Sequence, residues 1–254
     1  MSSKIFLHGG GDRPESRQET FGLFAEEALK ELPSKLALVI AEEGETAVQE
    51  SWQAYSSIFT AVGVPEEKLV PLFASPTSPL TYEMVAQAKP SGLFVCGGMT
   101  PSYHQAIGAG RSWTAYLQET DIPYGGTSAG AAIAASQAIL GGWQAARDGQ
   151  VREILFMGAG EGIDPLTVRP SLGLVPFAVD VHASQMGTLT RLIHAVESGL
   201  VAEGWAIDEN TMLVLDCRTL HIHGQGHCYH VQHNREDAVA ITIHVSPEKI
   251  VVKA

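Results

Sequence analysis

Gly126-Thr127-Ser128-Ala129-Gly130 is a G-x-S-x-G motif, and its surroundings matter more than its letters. The apolar run 122–124 precedes it and the alanine-rich stretch 129–138 follows. Strand, sharp turn and helix in that order make a nucleophile elbow, which holds a serine in a strained conformation with its hydroxyl exposed. Flanking glycines permit the turn because they bring no Cβ to clash. The helix N-terminus adds a positive dipole end, which favours negative charge developing on a substrate oxygen. The N–H of Ala129 is one candidate donor to such an oxyanion, and the turn Gly97-Gly98-Met99 offers a second.

A serine hydroxyl needs a base, and ten histidines are available. His182 is the best placed, because it closes the apolar run 177–182 at a strand end. His194 falls within a helix and His104 near a helix start, so both read as ordinary. A third group must orient the imidazole and stabilise its charged form. Asp180, Asp208 and Glu209 are all candidates, and spacing leaves the choice open.

These residues need a scaffold that brings strand ends together. Segments 5–8, 36–41, 69–73, 93–96 and 122–124 read as short buried strands. Segments 16–32, 46–62, 81–88 and 103–119 between them read as helices. Alternation of this kind predicts an α/β fold, a doubly wound and mostly parallel sheet with helices on both faces. Ligands bind such sheets where strand carboxyl ends meet glycine-rich turns. Three such turns occur, at His8–Gly11, Gly97–Thr100 and Gly125–Ser128, and they are expected to gather at one edge. Further strands are expected at 177–182 and 204–208, with a helix at 188–198 between them. From Thr211 onward the pattern is all β, with hairpin turns expected near Asp216-Cys217-Arg218 and Gly224-Gln225-Gly226. The chain reads as one domain, 1–254, in which about 211–254 is a β-rich extension.

Composition narrows the function classes. Hydrophobic residues make up 45% of the 254 positions and charged ones 17%, which fits a soluble protein with a substantial core. The net charge of −12, with no basic cluster, argues against nucleic acid and gives a membrane surface nothing to attract. No apolar run approaches the roughly 20 residues of a membrane span. Cys96, Cys217 and Cys228 are odd in number and irregular in spacing, so a disulfide framework is not expected and the cytoplasm is the simplest setting.

In order along the chain, these pieces resemble the S51 serine peptidases, the family of cyanophycinase and the aspartyl dipeptidase peptidase E. The resemblance covers most of the chain. It rests on the Gly97-Gly98 turn, residues 126–131, Leu172-Gly173-Leu174 followed by Asp180-x-His182, Arg191-Leu192, and Gly204-Trp205-Ala206-Ile207-Asp208-Glu209-x-Thr211. It implies a fold similar to class I glutamine amidotransferases, flavodoxin-like in type, and a Ser-His-Glu triad of Ser128, His182 and Glu209. Gly98, Met99 and Ala129 then line the oxyanion hole, Thr100, Asp180 and Arg191 contact substrate, and no cofactor or metal is required. The implied partner is a small peptide, and the implied assembly a homodimer. The departures concern specificity. Cyanophycinases carry Asp-Gln or Asn-Gln where this chain has Met99-Thr100, and a glutamine where it has Val181. They carry arginines where it has Met186 and Thr188, so the resemblance implies retained hydrolytic machinery beside an altered pocket.

Three rival readings remain, two of them resting on other residues. An α/β-hydrolase esterase would take His8–Gly11 for its oxyanion loop and Asp164-Pro165-Leu166 for its acid, but Ser128 to Asp164 is a short interval for that fold. A metal protein would use His221, His223, His227, His230 and His233 with Cys228, although no ligand spacing is completed there. A non-catalytic member would keep the same fold for binding alone.

Overall fold

A computed structural model of the chain describes residues 3–30, 34–234 and 238–251. Short, mainly apolar segments form the central strands Ile5–His8 (β1), Leu36–Ile40 (β2), Leu69–Phe73 (β3), Gly92–Val95 (β4) and Tyr124–Thr127 (β5). The helices Leu23–Ala28 (α1), Glu45–Ala61 (α2), Tyr82–Ala88 (α3), Thr100–Tyr103 (α4), Thr114–Thr120 (α5) and Ala129–Ala132 (α6) lie among and after them. Later come β6 (Gln137–Gly141), β7 (Gln144–Arg147), β8 (Gln150–Glu153), β9 (Thr167–Pro170), β10 (Ala178–Val181), α7 (Leu189–Glu197) and β11 (Glu203–Ile207). The chain closes with β12 (Thr211–Asp216), β13 (Thr219–Gly224), β14 (His227–His233), β15 (Val239–Val245) and β16 (Glu248–Val251).

The main sheet has eight strands in the order β16-β13-β12-β1-β5-β4-β2-β3. Contacts within β1 to β5 are parallel, and β12, β13 and β16 extend the sheet antiparallel from β1. The first strand therefore lies beside β5, not between the second and third as in a flavodoxin-like 2-1-3-4-5 order. Period-2 alternation sends side chains to two cores. Leu7, Val39 and Val95 face α3, α5 and α6, while Phe6, Leu38 and Phe94 face α1 and α2. On the second side Phe21, Phe24, Phe59 and Phe94 pack with ring centroids 5.0 to 6.3 Å apart. Burial on both faces explains why β1, β2 and β4 are runs of mainly apolar residues, not alternations.

A second sheet, β10-β11-β14-β15, carries α7 on one face. Its other face sends Val179, Val181, Trp205 and Ile207 into the core of the main sheet. The C-terminal strands thus divide between two sheets. The turn at Gly224–Gly226 is not a hairpin, as expected from sequence, but the place where the chain leaves one sheet for the other.

Two helix expectations need correction. The segment 103–119 is interrupted around Gly108-Ala109-Gly110 and resumes as α5, since two glycines two apart stop a helix. The alanine-rich stretch 129–138 is helical only over Ala129–Ala132. The carbonyls of Ile133, Ala134 and Ala135 accept instead from the N–H groups of Leu172, Gly173, Leu174 and Val175. Tertiary pairing overrides alanine's helix propensity there. The last two residues of the expected helix 16–32 lie outside the described residues, as do 252–254 of the β-rich extension. Among the described residues no helix is long and apolar enough to cross a membrane.

Candidate active site

Parallel pairing fixes where the glycine-rich turns meet. His8 stands in register with Thr127, and Val95 with Gly126, so β1, β4 and β5 end together. The turns that follow them gather as expected: Gly10, Gly11, Gly97, Gly98, Thr127 and Ser128 line one cavity of about 550 Å³. The α2 helix closes its far wall with Glu50, Ser51, Ala54, Tyr55 and Ile58, and Phe21 adds an apolar floor.

Ser128 has φ 51° and ψ −116°, a conformation that L residues rarely adopt. Its N–H donates to the His8 carbonyl at 3.0 Å, and its own carbonyl accepts from Ala131 and Ala132, each at 3.0 Å. The backbone on both sides of the serine is therefore held, which sustains the strain. The motif's glycines serve close packing. A Cβ on Gly126 would stand 2.4 Å from the Gly130 carbonyl oxygen, and one on Gly130 would stand 2.2 Å from that of Val95.

The Ser128 hydroxyl lies 2.8 Å from Nε2 of His182, and Nδ1 of His182 lies 2.8 Å from a Glu209 carboxylate oxygen. A carboxylate only accepts, so Nδ1 carries the proton and Nε2 is left to accept from the serine. His182 also has positive φ, 57°, and its N–H donates to the Gly9 carbonyl at 2.9 Å. Its ring rests on the bare backbone of Gly10, whose φ is +97°. Asn210, next to the acid, donates its N–H to the Gly10 carbonyl at 2.7 Å. The turn after β1 is thus a cradle for His182 and Glu209, a role its sequence position did not reveal.

Of the three acids left open by spacing, Glu209 alone reaches the imidazole. Asp208 is buried and accepts from the N–H groups of Ser184 and His227, each at 2.9 Å. Asp180 is buried and takes a two-pronged ion pair from Arg191, at 2.6 and 2.8 Å. A third guanidinium nitrogen donates to the Ala159 carbonyl at 2.9 Å. Asp180 and Arg191, expected to contact substrate, are bonded to each other, and neither lines the cavity. Thr100 also lies outside the cavity lining: its side chain is buried, and its N–H donates to Glu161 at 3.0 Å. Burial raises the Glu161 carboxyl above its ordinary pKa.

Of the oxyanion candidates, Gly98 lines the cavity, Ala129 begins α6, and Met99 turns its side chain to solvent. The Gly97 N–H is engaged, donating to the Tyr55 hydroxyl at 2.8 Å, while no partner within the described residues takes the N–H of Gly98 or Ala129. The esterase reading loses its acid, since Asp164 accepts from the Trp143 indole at 2.9 Å while the carboxylate bonded to His182 is that of Glu209. Of the C-terminal histidines, His227 and His230 pair with Asp208 and Glu203, and among the described residues no three side chains are grouped to hold a metal.

Two groups beside the site had no distinguishing sequence signal. Tyr55 and its neighbours on α2 look like one face of an amphipathic helix. His8 is fully buried, its Nδ1 2.9 Å from the Thr127 hydroxyl, and burial first and the nearby His182 second lower its pKa to about 3.

No protein-family model and no curated protein matches the chain. Among solved structures, the chain is similar to a peptidase from an acI-B1 Actinobacterium, with 15% identity, a TM-score of 0.66, and coverage of 99% of this chain and 97% of that one. At that identity the likeness defines a fold class: a mixed α/β architecture shared along the whole length of a peptidase.

Proposed function

We propose that this protein is a serine peptidase of the S51 type, hydrolysing small peptides through Ser128, His182 and Glu209. The observation that carries the reading is the unbroken relay from the strained Ser128 through His182 to Glu209, with both hydrogen bonds at 2.8 Å. The fold shared with a solved peptidase supports it.

In this mechanism Ser128 Oγ attacks the scissile carbonyl and passes its proton to Nε2 of His182. Glu209 stabilises the imidazolium and keeps the ring in its productive tautomer. The N–H groups of Gly98 and Ala129 receive the charge that develops on the carbonyl oxygen. His182 then protonates the leaving amine, and water, activated by the same base, releases the acyl group from Ser128. Among the described residues, the carboxylates lining the cavity are Asp12 and Glu50, and Phe21, Ala54 and Ile58 supply its apolar surface. The carboxylates disfavour an acidic side chain and the apolar surface suits an uncharged one, so neutral peptides are the proposed substrates.

Turnover of a panel of neutral and β-aspartyl dipeptides tests the proposal. Hydrolysis of neutral members that is lost in Ser128→Ala supports it; no hydrolysis of any peptide, or equal hydrolysis by the variant, refutes it.

A further inference from the structure

Tyr55 projects from α2 into the cavity that Ser128 opens on, and its phenolic oxygen accepts the Gly97 N–H at 2.8 Å. From the other side, the Tyr103 hydroxyl donates to the Gly97 carbonyl, also at 2.8 Å. One peptide residue is thereby clamped between two tyrosines. Gly97 has no side chain, and this brings the phenol close to the nucleophile. The point a Cβ would occupy lies 2.8 Å from the Tyr55 oxygen and 3.1 Å from Cβ of Ser128. The hydroxyl and the serine thus flank a single bare glycine and face the same space.

A phenol offers one proton and accepts through its lone pairs. Gly97 takes up the accepting side, which fixes the oxygen. Among the described residues no acceptor takes the O–H proton. Burial, aided by the nearby Cys96, Glu42 and Asp12, raises the phenol's pKa, so the group remains a donor where His182 works as a base. A donor fixed on the wall of the cavity that Ser128 lines meets the geometric requirement for stabilising charge that appears only in the transition state.

We infer that Tyr55 is a catalytic residue: its O–H donates to the oxygen of the scissile carbonyl as Ser128 attacks, beside the N–H groups of Gly98 and Ala129. The proton stays on the phenol throughout, and no bond to Tyr55 forms or breaks. This inference rests on the proposed Ser128 chemistry.

The test is the second-order rate of Ser128 labelling by a fluorophosphonate, whose phosphoryl oxygen takes the place of the carbonyl oxygen. Three proteins are compared: the natural chain, Tyr55→Phe, and the chain with 3,5-difluorotyrosine at position 55, assayed below the ionisation of that phenol. Removing one such donor slows the chemistry by about 10²-fold or more, and Tyr55→Phe is expected to show that loss with its melting temperature little changed. The difluorotyrosine, a stronger donor but a weaker acceptor, is expected to label at least as fast as the natural chain. Labelling of Tyr55→Phe within about twofold of the natural rate overturns the inference. A difluorotyrosine protein as slow as Tyr55→Phe also overturns it, leaving only a positioning role through Gly97. If Tyr55→Phe does not fold, the difluorotyrosine protein is judged against the natural chain alone: labelling at least as fast supports the inference, and labelling about 10-fold or more slower overturns it. Failure of the natural chain to label at Ser128 refutes the proposed function itself, and this inference with it.

Discussion

The imidazole of His182 lies against the backbone of Gly10, so closely that a Cβ added there would stand 2.2 Å from the ring's Cε1. Gly10 also has φ +97°, where an L side chain is strained by about 1–3 kcal/mol. Gly10→Ala is therefore expected to displace the ring from Ser128. A shift of about 1 Å in a catalytic group costs on the order of 10²-fold in rate. Peptidase kinetics should show that loss in kcat, together with a lower melting temperature. Unchanged kcat would mean that the ring position is not set by this turn.

Glu209→Gln keeps the size of the side chain but can offer a donor where His182 Nδ1 needs an acceptor. The imidazole would then adopt the tautomer that cannot take the serine proton. The expected loss in kcat is on the order of 10⁴-fold, with KM changed far less. Replacing Asp208 by Asn should act on stability instead, since its oxygens accept from the N–H groups of Ser184 and His227.

Much of this site could be read from residues alone because its signals are local. Gly126 to Gly130 specify an elbow within five residues, and His182 ends an apolar strand. Glu209 was different: spacing left it level with Asp180 and Asp208, and family resemblance chose it. The other two acids fail for non-local reasons, since each is bonded by segments distant in sequence. Arg191 illustrates the same limit. The resemblance implies a substrate contact for it, but its partner Asp180 lies 11 residues away on another element, and the pair forms only once α7 packs on the second sheet. The stretch 129–138 misled because alanine's preference is weak against carbonyls claimed by residues 172–175.

Removing one partner of the buried Arg191–Asp180 pair should cost stability. Side-chain exposures of 5% and 2% leave the remaining charge without water. Arg191→Ala is expected to destabilise the fold by about 3–5 kcal/mol, read from the urea midpoint, because Asp180 would be stranded. If the variant kept full stability and lost only substrate affinity, Arg191 would be a binding residue after all.

His8 predicts a pH dependence. Its folded pKa of about 3 lies below the ordinary 6.5, chiefly through burial, so the unfolded chain binds the proton more readily. Its contribution to stability is complete above pH 6.5 and is lost as pH falls from there toward 3. The loss amounts to about 1.4 kcal/mol per pH unit within that window. Denaturation of the natural chain and of His8→Gln across this range should show a shallower acid slope in the variant. Parallel slopes would mean that His8 is not neutral in the folded protein.

The central claim is that Ser128 is a nucleophile activated by His182. Its most direct test is incubation of the native protein with a fluorophosphonate, followed by peptide mass spectrometry to locate the adduct. The account predicts one phosphonyl group, on Ser128, absent from Ser128→Ala and formed far more slowly in His182→Ala. An adduct on a different serine, or equal labelling of the Ser128→Ala protein, would contradict it.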